Sequence, residues 1–218
     1  MDIDFRIVLK DVDESYPENL TPEEIAVYIA EKKAKAFDES VNDEIVLTAD
    51  TIVNVDGEIL GKPETVEHAA EMLRTLSGKL HKVVTGVCLL YKHKYNLFHD
   101  VSEVFFRKLT DEEINFYVNK YQPLDKAGAY GIQEWIGLIG IERINGSYTN
   151  VVGLPTEKLY IVSQNDVQII HLSNSGRKMK ILCTVSQRIQ FCNLWVSTNA
   201  KLLDSSLLCQ KTKVHSGT

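Results

Sequence analysis

Ile45-Val46-Leu47-Thr48-Ala49-Asp50-Thr51-Ile52-Val53-Asn54-Val55-Asp56-Gly57-Glu58-Ile59-Leu60 is the stretch on which the fold turns. Its first five residues form an almost continuous apolar run, of the length and type of a strand buried on both faces, and it delivers Asp50 at its far end. Thr51–Val55, Asp56-Gly57 and Glu58–Leu60 then read as a hairpin, because Asp-Gly tolerates the positive φ angles of a type I′ turn. A carboxylate at the end of a buried strand stands where open α/β sheets place ligand groups. It can hold a divalent cation or take a proton from an attacking water. On Ala49-Asp50-Thr51 alone the plainer reading is preferred, in which Asp50 bonds backbone amides at a strand end.

Outward from this stretch the pattern alternates between helix and strand. Thr21-Pro22-Glu23-Glu24 is a capping box with Pro at the first helical position, so a helix runs from there toward Phe37 with Ile25, Tyr28, Ile29, Ala36 and Phe37 on its apolar side. Thr65 to Leu76 carries Ala69, Met72, Leu73 and Leu76 at helical spacing and stops at Ser77-Gly78. Lys82 to Tyr91 and Val101 to Arg107 read as strands. Thr110-Asp111-Glu112-Glu113 opens a third helix that Pro123 ends, and Ile139 to Tyr148 reads as a hairpin turning at Asn145-Gly146. Irregular alternation with several hairpins predicts a mixed, twisted α/β sheet with flanking helices rather than a strictly parallel one.

Composition bounds the function. The chain has 218 residues, 44% of them apolar and 25% charged, enough to bury a core without disulfides or a structural metal. No run of eighteen apolar residues occurs, and the opening Met1-Asp2-Ile3-Asp4-Phe5-Arg6 lacks the character of a signal peptide, so membrane-spanning and secreted readings are disfavoured. Residues 1–164 carry 17 Lys and Arg against 28 Asp and Glu, a net −11, whereas residues 165–218 carry 7 against 2, a net +5. An acidic main body argues against a broad nucleic-acid footprint, so any phosphate must be met locally by a few lysines or a metal ion. Cys183, Cys192 and Cys209 lie in the tail without metal-ligand spacing, and read as reduced thiols of a cytoplasmic protein.

Several residues could accompany Asp50. Lys33 lies on the first helix, Lys62 follows the hairpin in Gly61-Lys62-Pro63, and Lys126 lies in Asp125-Lys126-Ala127-Gly128-Ala129-Tyr130-Gly131-Ile132-Gln133. Each lysine alone is ordinarily a solvated surface group. Lys62 is the more suggestive, since Gly61 permits close backbone approach and Pro63 stiffens the chain beyond it. Gln133 has an amide that can read a base edge. His81 by itself reads as a satisfied polar residue.

These blocks, with Asp11-Val12-Asp13-Glu14, Lys33-Ala34, Ala49-Asp50-Thr51-Ile52-Val53, Leu76-Ser77-Gly78, Thr85-Gly86 and Gly146-Ser147-Tyr148 followed by Asn150-Val151-Val152-Gly153-Leu154-Pro155, resemble the Maf family in order and spacing over residues 1–162. The resemblance implies a Maf/ITPase-like α/β fold and a nucleoside triphosphate pyrophosphatase, which cleaves a nucleotide to its monophosphate and pyrophosphate with Mg²⁺ or Mn²⁺. It implies that Asp50 is the proton acceptor or metal-linked carboxylate. Glu14, Lys33 and Lys62 would line the triphosphate and metal site, and Thr51 and Gln133 would set base choice. Ala-Asp-Thr and Tyr-Gly-x-Gln are similar to the branch acting on dTTP and UTP. The implied partner is the nucleotide, with neither nucleic acid nor membrane, and a homodimer is left open. Turnover of modified pyrimidine triphosphates as a housecleaning activity, or nucleotide binding without turnover in septum-related regulation, are the alternatives.

The sequence departs from the family at both ends. Maf proteins open with an apolar strand and a Ser-x-Ser-Pro-Arg-Arg loop that contacts phosphate and base, whereas this sequence begins inside what is normally the second strand. Residues 1–162 are thus expected to form an N-terminally shortened Maf-like domain, and residues 163–218 an atypical tail of unknown fold. Within it, Gln168-Ile169-Ile170-His171-Leu172-Ser173-Asn174-Ser175-Gly176-Arg177-Lys178 is similar to the missing strand and loop. Docked in the vacated slot, it would replace a lost phosphate contact with Arg177. The residues alone favour coincidence.

Overall fold

The computed structural model describes residues 5–37, 44–165 and 179–183. In chain order these form β1 (Phe5–Leu9), α1 (Pro22–Lys35), β2 (Ile45–Val55), β3 (Glu58–Leu60), α2 (Val66–Leu76), β4 (Leu80–Tyr91), β5 (Lys94–Phe106), α3 (Asp111–Tyr121), a 3₁₀ turn (Ala127–Ala129), α4 (Trp135–Gly140), β6 (Ile141–Asn145), α5 (Tyr148–Val152), α6 (Thr156–Asn165) and β7 (Met179–Cys183). The fold is mixed α/β. One sheet runs β1-β7-β2-β4-β5-β6, with β3 paired to β2. β7 is parallel to both β1 and β2, and the remaining ladders are antiparallel.

Local chemistry accounts for the helix starts. Thr21 and Thr110 both close complete capping boxes with Glu24 and Glu113, and Thr65 caps α2 through the His68 N–H. α3 ends at Gln122, whose left-handed φ of 49° turns the chain into Pro123. Asp56 and Gly57, at φ 52° and 89°, make the expected type I′ turn between β2 and β3.

The alternation of β2 divides the core. Val46 and Ile52 face α1, packing with Ala30, Ala34, Ile25, Ala26 and Ile29. Leu47 and Ala49 meet Leu154 and Leu159 on the other face, where Val53 and Val55 also join the residues of α2, α3 and α4. Burial on both sides explains why this strand reads as a nearly continuous apolar run.

Three expectations are corrected. Asp50 is not at a strand end: β2 is a single eleven-residue strand, and Asp50 lies within it, paired with Gly86 of β4. Ile139 to Tyr148 is no hairpin. It holds the end of α4, then β6 pairing with β5, and Gly146 leads into Ser147, whose hydroxyl caps α5 by accepting the Asn150 N–H. Asn145-Gly146 therefore serves a strand-to-helix turn, and a Cβ on Gly146 would lie 2.7 Å from Ser102 Oγ. Finally, Gly61 has no atom within 4 Å of the Cβ it lacks, so close backbone approach is not why glycine precedes Lys62.

A tail strand does lie between β1 and β2, but it is Met179–Cys183. Residues 168–178, Arg177 included, lie outside the described residues.

Candidate active site

Asp50 and Thr51 are neighbours on β2 and therefore project to opposite faces of the sheet. Asp50 points toward α1, where Lys33 Nζ donates to its Oδ1 at 2.5 Å. Thr51 points the other way and meets Thr85 of β4, hydroxyl to hydroxyl, at 2.9 Å. Both residues nevertheless line one cleft, because of how β2 is paired on that edge. β7 accompanies it only as far as Thr48, and β3 only from Val53. Among the described residues the edge at Ala49–Ile52 has no strand partner. A cleft lies there, lined by Asp50, Thr51, Lys62, Lys126 and Tyr130 among others.

The cleft lining is both charged and apolar: Asp50, Lys62, Asp125 and Lys126 on the one hand, Val53, Val83, Tyr130 and Val151 with Thr51 on the other. Glu14, in the extended segment between β1 and α1, completes the charged cluster: its Oε1 lies 3.0 Å from Lys33 Nζ and its Oε2 2.6 Å from Lys62 Nζ. Four of the predicted site residues, Glu14, Lys33, Asp50 and Lys62, are thus joined in one chain of ion pairs.

Burial differentiates these groups. Lys33 is 3% exposed and Asp50 7% exposed. Burial pushes the Asp50 carboxyl above its ordinary value, against the opposing pull of Lys33. For Lys33 burial works downward, but Asp50 and Glu14 outweigh it and hold the ammonium group above its ordinary value. Burial also raises Glu14, yet Lys33 and Lys62 together keep it below the usual carboxylate range. One carboxylate is made more basic while its neighbour stays ionised, a division that acid–base sites exploit.

The position of Lys33 depends on how closely α1 lies on the sheet. Thr48 donates its hydroxyl to the Ala30 carbonyl at 2.6 Å, and the missing side chain of Gly86 leaves room for the backbone of Ala26. On the opposite wall, Lys126 Nζ is held by Asp125 at 2.7 Å and Glu134 at 3.2 Å, and Glu134 also accepts the Tyr117 hydroxyl proton. The backbone here is tightly constrained. Gly128 is at φ 68°, and a Cβ there would press on Val53 at 3.0 Å.

Gln133 does not line the cleft. It is half-buried in the turn before α4, beyond Tyr130. Asp125 and Tyr130 do line it, although sequence reasoning gave them no role; their position within the same segment as Lys126 was the available signal. His81 is 1% exposed, its Nε2 is 2.8 Å from the Tyr130 hydroxyl and its ring packs against Phe106, but its buried Nδ1 has no partner among the described residues, so it is only half the satisfied residue the sequence suggested.

Comparison with known proteins decides what this arrangement belongs to. The family model described as Maf-like protein matches residues 1–165. The chain belongs to the Maf family. Among curated relatives, a Flavobacterium psychrophilum protein is 49% identical over 166 residues, covering 76% of this chain and 85% of its own length. A Parabacteroides distasonis protein is 53% identical over 162 residues, with coverage of 73% and 84%. One from Bacteroides thetaiotaomicron is 56% identical over 153 residues, with coverage of 70% and 79%. All three are named dTTP/UTP pyrophosphatase. The matched portion of this Maf-family chain contains the whole cleft. Among the described residues no helix is long and apolar enough to cross a membrane.

Proposed function

We propose that this chain is a cytoplasmic nucleoside triphosphate pyrophosphatase that hydrolyses dTTP and UTP to the monophosphate and pyrophosphate. The observation that carries the reading is the buried Asp50 carboxylate, 2.5 Å from Lys33 and linked through Glu14 to Lys62, in a cleft that Thr51 also lines. The names of relatives about half identical over most of their length support it.

Hydrolysis between the α and β phosphates requires a positioned water and neutralisation of a polyanion, with no covalent nucleophile. Asp50 accepts the proton of the attacking water, a role suited to a carboxyl that burial has made more basic. Lys62, 38% exposed at the mouth, meets the phosphates, and Lys33 holds Asp50 and Glu14 in place beneath them. The oxygen donors of Asp50 and Glu14 are of the kind Mg²⁺ or Mn²⁺ takes, although the Lys33 ammonium bridges them here and no group of three or more His, Cys, Asp or Glu side chains stands together among the described residues. These two residues would hold the cation, which when bound supplies further charge neutralisation to the phosphates.

The base would sit against the apolar lining residues Val53, Val83 and Tyr130, with Thr51 reading its edge. Gln133, which the family resemblance makes a second base-reading group, lies outside the cleft lining, so its role in base choice needs the base to extend past Tyr130. The test is pyrophosphate release from UTP, dTTP, CTP, ATP and GTP with and without Mg²⁺. Turnover confined to UTP and dTTP is expected. Nucleotide binding without pyrophosphate release would replace this reading with a non-catalytic one.

A further inference from the structure

Thr85 and Asn150 sit behind Thr51 and are fully buried. The Thr85 hydroxyl donates to the Asn150 main-chain carbonyl at 2.9 Å. A hydroxyl has one proton and two acceptor sites. With its proton committed to a carbonyl, which can only accept, Thr85 can meet Thr51 only as an acceptor. The 2.9 Å contact between the two hydroxyls is therefore donated by Thr51. The Thr51 proton points away from the cleft, and what Thr51 presents to a ligand is lone pairs alone.

The carbonyl that sets this polarity is itself fixed. Asn150 lies on α5, whose N-terminus is capped by Ser147, and its side-chain amide donates to the Val83 carbonyl and to Ser102 Oγ, both at 3.0 Å. Ser102 in turn donates to the Ser147 carbonyl at 3.0 Å. The Asn150 side chain is thus tied to β4 and β5, and its main-chain carbonyl also accepts the Gly153 N–H at 2.9 Å, which holds the acceptor facing Thr85 in place.

We propose that Thr85 is a positioning residue for base selection: it locks the Thr51 hydroxyl as an acceptor toward the cleft, so that the site takes a pyrimidine ring with N3–H and rejects one with a lone pair at N3. Uracil and thymine carry that proton and cytosine does not, so the same geometry accounts for acceptance of the first two and exclusion of the third. This inference rests on the reading that Thr51 faces the base.

The experiment measures dissociation constants for UTP, CTP and 3-methyl-UTP by calorimetry in the Asp50→Asn background, where turnover does not intervene. A parallel set carries Thr51→Val, Thr85→Val or Thr85→Ser. With Thr51 and Thr85 intact, UTP should bind at least tenfold tighter than both CTP and 3-methyl-UTP. Thr85→Val frees the Thr51 proton to turn toward the cleft and donate to cytosine N3, so the UTP:CTP preference should fall about tenfold, chiefly through tighter CTP binding. This corresponds to one neutral hydrogen bond gained or lost. Thr85→Ser, which keeps the hydroxyl, should retain the preference. Equal binding of UTP and 3-methyl-UTP overturns the proposal without any Thr85 variant having to fold. A preference abolished by Thr51→Val yet untouched by Thr85→Val overturns it while leaving the base-facing role of Thr51 intact. Indifference to Thr51→Val removes both. Tight, selective binding by a protein with Thr51 and Thr85 intact that hydrolyses nothing in the presence of Asp50 would preserve this inference and defeat only the catalytic reading.

Discussion

Gly86 faces Ala26 so closely that a Cβ on the glycine would lie 2.2 Å from the Ala26 carbonyl carbon. Gly86 is also the cross-strand partner of Asp50. Glycine in a strand interior weakens the strand, but here it admits the backbone of α1 onto the sheet beside the reactive carboxylate. Lys33, two turns further along that helix, owes its 2.5 Å approach to Asp50 to this contact.

Gly86→Ala should therefore push α1 off the sheet, with a loss of at least about 1–3 kcal/mol from overpacking. Because α1 carries Lys33, kcat should fall at temperatures where the variant is still folded. Denaturant melts and steady-state rates on the same preparation check this. Full activity at unchanged stability would show that the helix does not need the glycine.

Asp50→Asn and Lys33→Met should separate chemistry from stability. In Asp50→Asn the amide remains in place and Glu14 still neutralises Lys33, so folding should survive while hydrolysis is lost. Lys33→Met leaves Asp50 buried without its partner, a change on the order of 3–5 kcal/mol. Unfolding free energies and turnover of the two variants should thus diverge, and hydrolysis by Asp50→Asn near the unmodified rate would sink the assignment.

Gln133→Ala is expected to weaken kcat/KM for UTP and dTTP by roughly 1–3 kcal/mol, through an unpaired base edge, while leaving ATP hydrolysis unchanged. A uniform loss across all nucleotides would mean that Gln133 supports the turn into α4 instead of reading the base.

His81 gives the fold an acid-sensitive point. Burial pulls its pKa from the ordinary 6.5 down to about 4. The unfolded chain thus takes up a proton below pH 6.5 that the native protein refuses until about pH 4. Stability is complete above pH 6.5 and falls as the pH drops through this window, by roughly 3 kcal/mol in total at ~1.4 kcal/mol per unit. His81→Gln should remove this component of the pH slope whatever its effect at pH 7. An identical slope in the two proteins, followed by urea titration from pH 7 to pH 4, would show that His81 does not carry it.

From Met179 to Leu182, β7 is flanked on both sides by parallel partners, so the main-chain N–H groups there face a neighbouring strand. Ile181→Pro removes one of these donors from the middle of the ladder, where proline is not accommodated. β1 should then detach and the Ile45–Thr48 edge of β2 become free to pair with other chains, seen as aggregation and lost protease resistance. A soluble, equally protected variant would show that β7 contributes nothing to the sheet.

What the sequence determined by itself is local. Thr21–Glu24 and Thr110–Glu113 mark helix starts, and Asp56-Gly57 marks a turn, because capping and left-handed turn chemistry are satisfied within four residues. The motif order also brought Glu14, Lys33, Asp50 and Lys62 together correctly. The turn at Lys92-His93 was illegible: both residues adopt positive φ, 47° and 62°, without the glycine or asparagine that would announce it, and the long β4–β5 ladder imposes the conformation. Asp50 looked like the end of a strand because a charge inside an apolar run is too costly locally to continue it. Only the tertiary structure supplies Lys33 from seventeen residues away to neutralise it, and only there does β2 run on past Asp50, leaving an open edge at the cleft that Asp50 and Thr51 both line.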